Sequence, residues 1–248
     1  MDEVVQRWES YTASEHLTWR RLYHRMLPRW EKYANAHFLQ GIRALRLDPD
    51  HIPRIAEVNR RLRPLTGFRA KPVAGYLPAS EFFACLRGRQ FPTTITIRDA
   101  SSLDYLPEPD IFHDVAGHVP MHTDPVFADT LVRFGECART IAGTAENAGG
   151  MQAMARFFWF TIEFGLMRSP TGLKAYGSGL LSSFGELEHA LESDTVQRLP
   201  FDLERVVNQP FEIDHYQPVL FWVDGFEHLF SLADRFERLI TTCPEPVR

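Results

Sequence analysis

The chain has 248 residues, 44% of them hydrophobic and 12% aromatic, with a formal net charge of −5. That is enough apolar material for a sizeable core, and the mild acidity without a long basic run argues against nucleic acid as a partner. The amino terminus has no apolar signal core and no run of about 20 apolar residues exists to span a bilayer, so no membrane partner is expected.

Three cysteines, Cys85, Cys137 and Cys243, stand at unrelated spacings. They fit neither a disulfide framework nor a zinc ribbon, and a cytoplasmic protein is expected.

Thr12-Ala-Ser-Glu15 is a capping-box pattern, and apolar residues follow at helical spacing through Trp19, Leu22, Met26 and Trp30. A second helical segment is expected over 33–45 and a third over 52–62, stopped by Pro64-Leu-Thr-Gly67. The texture then changes. Residues 73–78 are turn-rich, 81–86 suit a short helix, and Thr93-Thr-Ile-Thr-Ile-Arg98 suits a strand.

Pro107 and Pro109 bracket an extended approach to His113. A helix over 126–142 is expected next, then a loop over 143–150. An apolar helix over 151–167 carries Glu163, with Ser169-Pro-Thr-Gly172 as its stop. Gly177-Ser-Gly179 reads as a turn before a helix over 180–191. A strand over 213–223 and a helix over 226–240 complete the chain. The expected class is mainly α with a small β component. One domain is expected over 1–248, with a helical lead-in over 1–65 and a core over 66–235.

The chemistry concentrates in His113, His118 and Glu163, the last 45 residues beyond His118. Two imidazoles and a carboxylate are the donor set of a facial triad for non-haem Fe(II). Two histidines five apart are about 500° around an ideal helix, roughly 140° from each other, so they cannot share a regular face. The expectation is a helix broken by Gly117 and Pro120, which lets His118 swing back. The zinc-protease pattern of histidines four apart is not present.

Glu163 lies in an aromatic run, and a carboxylate there needs a positive partner. A divalent cation is one answer and a buried arginine such as Arg98 or Arg156 is the other. Asp110, Asp114 and nearby carbonyls are candidates to fix the imidazole tautomers. Arg98 suits a bidentate clamp for a carboxylate, although an ordinary ion pair with Asp99 or Asp104 is the plainer reading. Gly177-Ser-Gly179 suits either a close approach to a ligand or a plain turn. Phe82, Phe83 and Phe158 are core residues by default. His122, His189, His215 and His228 show no comparable arrangement.

Four stretches, 66–75, 107–120, 160–166 and 174–187, together resemble the catalytic domain of the pterin-dependent aromatic amino acid hydroxylases, most of all its bacterial phenylalanine-hydroxylating members. The likeness runs over roughly residues 10 to 235. It implies Fe(II) held by His113, His118 and Glu163, with tetrahydrobiopterin or a related tetrahydropterin as cofactor and dioxygen as co-substrate.

By position it places Arg98, Leu106, Pro107, Trp159, Gly179 and Ser182 around the amino-acid substrate. Val73, Gly75, Leu77, Phe82, Asp114 and Ala155 fall around the pterin, with Phe82 stacking on its ring. Asp114 stands where animal members have Glu, Leu106 where animal phenylalanine hydroxylases have Thr, Phe158 in place of a Tyr near the iron, and Pro92 in place of a pterin-facing His.

The implied reaction is ring mono-oxygenation of a free aromatic amino acid. Trp159 is similar to the phenylalanine and tyrosine enzymes, and Ile213 is apolar where tyrosine hydroxylases look acidic, so phenylalanine is expected to become tyrosine. Tryptophan as substrate, meta hydroxylation and, in another class, a zinc hydrolase are the alternatives. Beside that likeness, the chain is expected to carry no regulatory domain and no tetramerisation tail, and a monomer is expected.

Overall fold

The computed structural model describes residues 4–103, 108–143 and 147–242. Leu106, Pro107 and Cys243 lie outside them.

The capping box at Thr12 forms as expected and starts α1, Ala13–Tyr33. Asn35 caps the next helix through its side chain, so α1 ends at Tyr33 and α2 covers Ala36–Leu45. Trp19 and Trp30 of α1 are fully buried, and both pack against Phe112. Trp30 Nε1 donates to the Leu181 carbonyl at 2.7 Å. The first helix is therefore the back wall on which the His113 segment rests.

Helix α3 spans Ile55–Thr66, and Pro64 does not stop it. Pro64 lies on the exposed face within the last turn, where water can satisfy the carbonyl that loses its partner. The stop is Gly67, whose φ of 76° is a left-handed cap.

Strand β1, Arg69–Val73, pairs in parallel with β2, Gln90–Thr94, across helix α4, Ala79–Arg87. The expected strand over 93–98 is thus displaced toward the amino terminus. Thr94 gives its N–H and its hydroxyl to Asp114 instead of to a strand neighbour, and the ladder ends there.

Helix α5, Pro125–Ala142, is capped by Asp124 and packs so closely on α4 that a Cβ on Gly135 would sit 2.6 Å from the Phe83 carbonyl oxygen. Helix α6 spans Asn147–Phe158. The expected long helix over 151–167 ends early, because the chain widens into a π-turn over Trp159–Glu163 and then enters a strand. The Ser169-Pro-Thr-Gly172 signal is a hairpin turn between β3, Leu166–Ser169, and β4, Gly172–Ala175, with Gly172 at φ 108°.

Helix α7 is short, Ser178–Leu181, and α8 runs Phe184–Glu192, so the expected helix over 180–191 is split at Ser182 and Ser183. Strand β5, Gln197–Pro200, and helix α9, Leu203–Asn208, were not foreseen. Strand β6 is confined to Val219–Val223, and Ile213 is exposed outside it. Helix α10, Phe226–Thr242, ends the described chain. The second sheet has the order β4-β3-β6-β5, with β3 and β5 each parallel to β6. The class expected from the sequence, mainly α with a little sheet, is the class observed.

Candidate active site

The two histidines need no broken helix. Residues Phe112–His118 form an uninterrupted π-helical segment. A π-turn bonds residue i to i+5, so residues five apart come round to the same face, which an α-helix forbids. Gly117 has another duty: a Cβ there would press to 3.2 Å on the Ser178 carbonyl oxygen and on Ser182 Cβ. Glu163 is the last residue of the second π-turn, closed by the Phe164 N–H donating to the Trp159 carbonyl at 2.9 Å.

These turns bring three ligand atoms together. His113 Nε2 lies 3.1 Å from His118 Nε2, and Glu163 reaches His118 Nε2 at 3.2 Å through Oε1 and His113 Nε2 at 3.7 Å through Oε2. Donors about 2.1 Å from one ion at right angles would stand about 3.0 Å apart, so the set fits a divalent metal on one face. His113 Nδ1 lies 2.8 Å from Ser182 Oγ, and that hydroxyl donates to the Ser178 carbonyl. Ser182 can thus accept only from a protonated Nδ1, which leaves the lone pair on Nε2.

Electrostatics agree. Burial pushes His113 down to about 4, against the pull of Glu163, so its ring is neutral at neutral pH. Burial would raise Glu163, but His118, His113 and the Ser178 hydroxyl outweigh it and hold the carboxyl near about 2. Asp114 also has a carboxylate oxygen within 4.8 Å of both imidazoles. Its Oδ2 is already bound to the Thr94 N–H and hydroxyl, at 2.7 and 2.8 Å, and burial raises it to about 7, so Glu163 is the better ligand.

Arg98 is buried and engages neither Asp99 nor Glu163. Its Nε and Nη2 hold both oxygens of Asp110 at 2.8 and 2.9 Å, and Nη1 reaches the Leu103 carbonyl at 3.3 Å. Asp110 Oδ1 also accepts the His113 backbone N–H at 2.9 Å. Asp110 therefore fixes the start of the π-segment rather than an imidazole tautomer. Arg156 donates to the Val207 carbonyl.

Ser182 meets His113. Trp159 is stacked on Phe211 at 4.3 Å, lies against Phe164 at 4.5 Å, and donates from Nε1 to Gln217 Oε1 at 3.1 Å. Gly179 belongs to the same wall, since a Cβ on it would come 2.7 Å from the Phe164 ring.

On the opposite side Phe82 packs edge-on to Phe83, Phe91 and Phe158, and Phe91 lies 4.5 Å from the His118 ring. Val73 is in register with Thr94, the partner of Asp114. Leu77 is half-buried, while Gly75 and Ala155 are exposed and no contact ties them to the ligands. The sequence reading missed Asp110 as the anchor of Arg98, and it missed Ser178, whose signal was the glycine on either side. His122 was set aside, yet it is fully buried and its Nδ1 binds the His118 carbonyl at 2.8 Å.

Comparison with known proteins bears on the chain as a whole. Residues 3–243 match the family model described as biopterin-dependent aromatic amino acid hydroxylase. The chain is 45% identical over 204 residues to a phenylalanine-4-hydroxylase of Caulobacter vibrioides, covering 82% of this chain and 68% of the relative. It is 39% identical over 188 residues to a tyrosine 3-monooxygenase of Rattus norvegicus, covering 74% of this chain and 37% of that one. It superposes at a TM-score of 0.90 and 37% identity on the crystal structure of Chromobacterium violaceum phenylalanine hydroxylase with bound iron(III) and oxidized cofactor 7,8-dihydrobiopterin, covering 98% of this chain and 88% of that one.

Proposed function

The chain belongs to the biopterin-dependent aromatic amino acid hydroxylases, and we propose that it converts free L-phenylalanine to L-tyrosine. The enzyme is an iron- and pterin-dependent ring hydroxylase. The observation that carries the site assignment is the meeting of His113 Nε2, His118 Nε2 and Glu163 Oε1 from two π-turns. In this reading those three side chains hold Fe(II). When bound, the iron activates dioxygen for transfer to the ring, with the tetrahydropterin supplying electrons.

The protein's own groups prepare that chemistry. The Ser182 hydroxyl holds the His113 tautomer, and the half-buried Glu163 carboxylate, kept ionised by His118, His113 and Ser178, supplies negative charge. Among the described residues three of the five Arg98 N–H groups are engaged, and the other two are assigned to a substrate carboxylate. Trp159 and Gly179 are assigned to the substrate ring, and the resemblance alone assigns Leu106 and Pro107 to the same substrate. Phe82, Val73, Gly75, Leu77, Asp114 and Ala155 are the residues that would hold the pterin, Phe82 through its ring. Phe91 links Phe82 to His118.

We place the enzyme in the cytoplasm as a monomer acting through a single catalytic domain. Two observations favour this: Cys85 and Cys137 are free thiols, and one continuous core runs from Trp19 to Phe236. Among the described residues no helix is long and apolar enough to cross a membrane.

The test is anaerobic loading with Fe(II), then incubation with phenylalanine, tetrahydrobiopterin and air, followed by product chromatography. Tyrosine is expected. A meta-hydroxylated product, or turnover of tryptophan alone, corrects the substrate; no hydroxylated product from any aromatic amino acid sinks the reading.

A further inference from the structure

Ser178 sits where the three proposed ligands meet. Its Oγ lies 2.7 Å from His118 Nε2, 3.0 Å from Glu163 Oε2 and 3.2 Å from the Ile162 carbonyl oxygen, and the residue is buried. The turn around it is shaped for this approach. A Cβ on Gly177 would fall 2.4 Å from the Glu163 carbonyl oxygen, and one on Gly179 would fall 2.9 Å from it. Glycine on both flanks lets the Ser178 backbone lie directly against that of Glu163.

A hydroxyl carries a single proton. Once His118 Nε2 binds a metal, its lone pair is taken and it has no proton to give. The Ser178 proton is then left with a neutral carbonyl and a carboxylate, and the charge-assisted bond to the carboxylate is the stronger. The two Glu163 oxygens are already unequal: Oε1 is 3.2 Å from His118 Nε2, whereas Oε2 is 3.7 Å from His113 Nε2 and bonded to Ser178.

We infer that Ser178 is a positioning residue of the metal centre, whose hydroxyl holds Glu163 Oε2 so that Glu163 ligates through Oε1 alone. This rests on His113, His118 and Glu163 being the ligands. A carboxylate restrained to one oxygen keeps a further coordination position exchangeable, which suits a site that must admit dioxygen. Ser182 acts on the first histidine of the set and Ser178 on the carboxylate, so hydroxyls at the two ends of one short helix, its first residue and its C-cap, serve two different ligands.

The test is titration of the metal-free protein with Co(II), followed by visible absorption and calorimetry, in wild type, Ser178→Ala, Ser178→Thr and Glu163→Ala. Ser178→Ala is expected to bind ten- to a hundredfold more weakly, the usual effect of removing such an outer partner. Its ligand-field bands are expected to change, while Ser178→Thr, which keeps the hydroxyl, retains the wild-type bands.

Unchanged affinity and unchanged bands in Ser178→Ala overturn the inference. Melting of the metal-free proteins reports folding, and if the alanine variant does not fold, Ser178→Cys, a far weaker donor of similar size, is read the same way. Wild type that binds no Co(II), or Glu163→Ala that binds it as wild type does, fails the ligand assignment itself, a different outcome from failure of the Ser178 role.

Discussion

His113 and His118 aim their Nε2 atoms at each other across 3.1 Å, with ring planes 83° apart. Neither needs to move far to share an ion, and Glu163 closes the third side.

Loss of any one ligand should therefore abolish tight metal binding without unfolding the chain. His113→Ala and Glu163→Ala are expected to lose Fe(II) on gel filtration and to show no turnover, while the far-ultraviolet circular dichroism stays that of wild type. Retained stoichiometric iron in either variant removes that residue from the ligand set.

Arg98→Ala is expected to act first on stability. The sequence alone suggests a weaker substrate KM as the main effect, but the guanidinium neutralises the buried Asp110, which in turn holds the His113 N–H. Removing one partner of a buried pair costs about 3–5 kcal/mol. Denaturant unfolding at pH 7 should show a loss of that order, and a variant as stable as wild type with only KM raised restores the simpler role. Arg98 holds Asp110 below the usual carboxylate range against the opposing effect of burial, so the contribution is present above that range and fades as pH falls through the lowered pKa.

Glu186 gives the opposite pH signature. It is buried, accepts only the Gln217 backbone N–H among the described bonds, and is raised by burial from 4.5 to about 7. A raised pKa favours the neutral form, so its stabilising effect is complete below 4.5 and lost as pH climbs through 7. Glu186→Gln keeps the acceptor without the charge. Its melting temperature should exceed wild type at pH 8, by at most about 3 kcal/mol in stability at 1.36 kcal/mol per pKa unit, and match it near pH 4.5. An equal gain at both values means that the charge is not the cause.

Trp159→Phe tests the ring pocket. It deletes the bond to Gln217 and shrinks the surface stacked between Phe164 and Phe211. Reshaping one apolar wall is worth about 10- to 200-fold in discrimination. The ratio of kcat/KM for phenylalanine over tryptophan should fall within that range, and an unchanged ratio takes Trp159 out of substrate choice.

The first helix and its Thr12 cap were legible because that cap acts within three residues of itself, whereas the Asn35 cap lay unread inside the helix expected over 33–45. The ligands were legible as residue types, not as geometry. An apolar pattern read at 3.6 residues per turn has no place for the wider turns at 112–118 and 159–163, so a break was expected where the helix is continuous. Strand β2 was misplaced because Ile95 and Ile97 look like strand while the partner that ends the ladder, Asp114, is 20 residues away. Asp110 and Ser178 escaped for the same reason, since their roles depend on contacts 12 to 60 residues distant.

The π-turn at 112–118 spaces its two histidines by count alone. Deleting a single codon between them would leave a segment free to wind as ordinary α-helix, four residues from ligand to ligand, with every later side chain displaced by about 100°. Asp110, Phe112 and the wall of α1 would still be there to receive it. A change of one residue in length would thus leave two imidazoles on one helical face, as four-apart histidines are, while turning the residues that follow away from their present partners. For the ancestry of such a site, insertions and deletions deserve to be traced as carefully as substitutions.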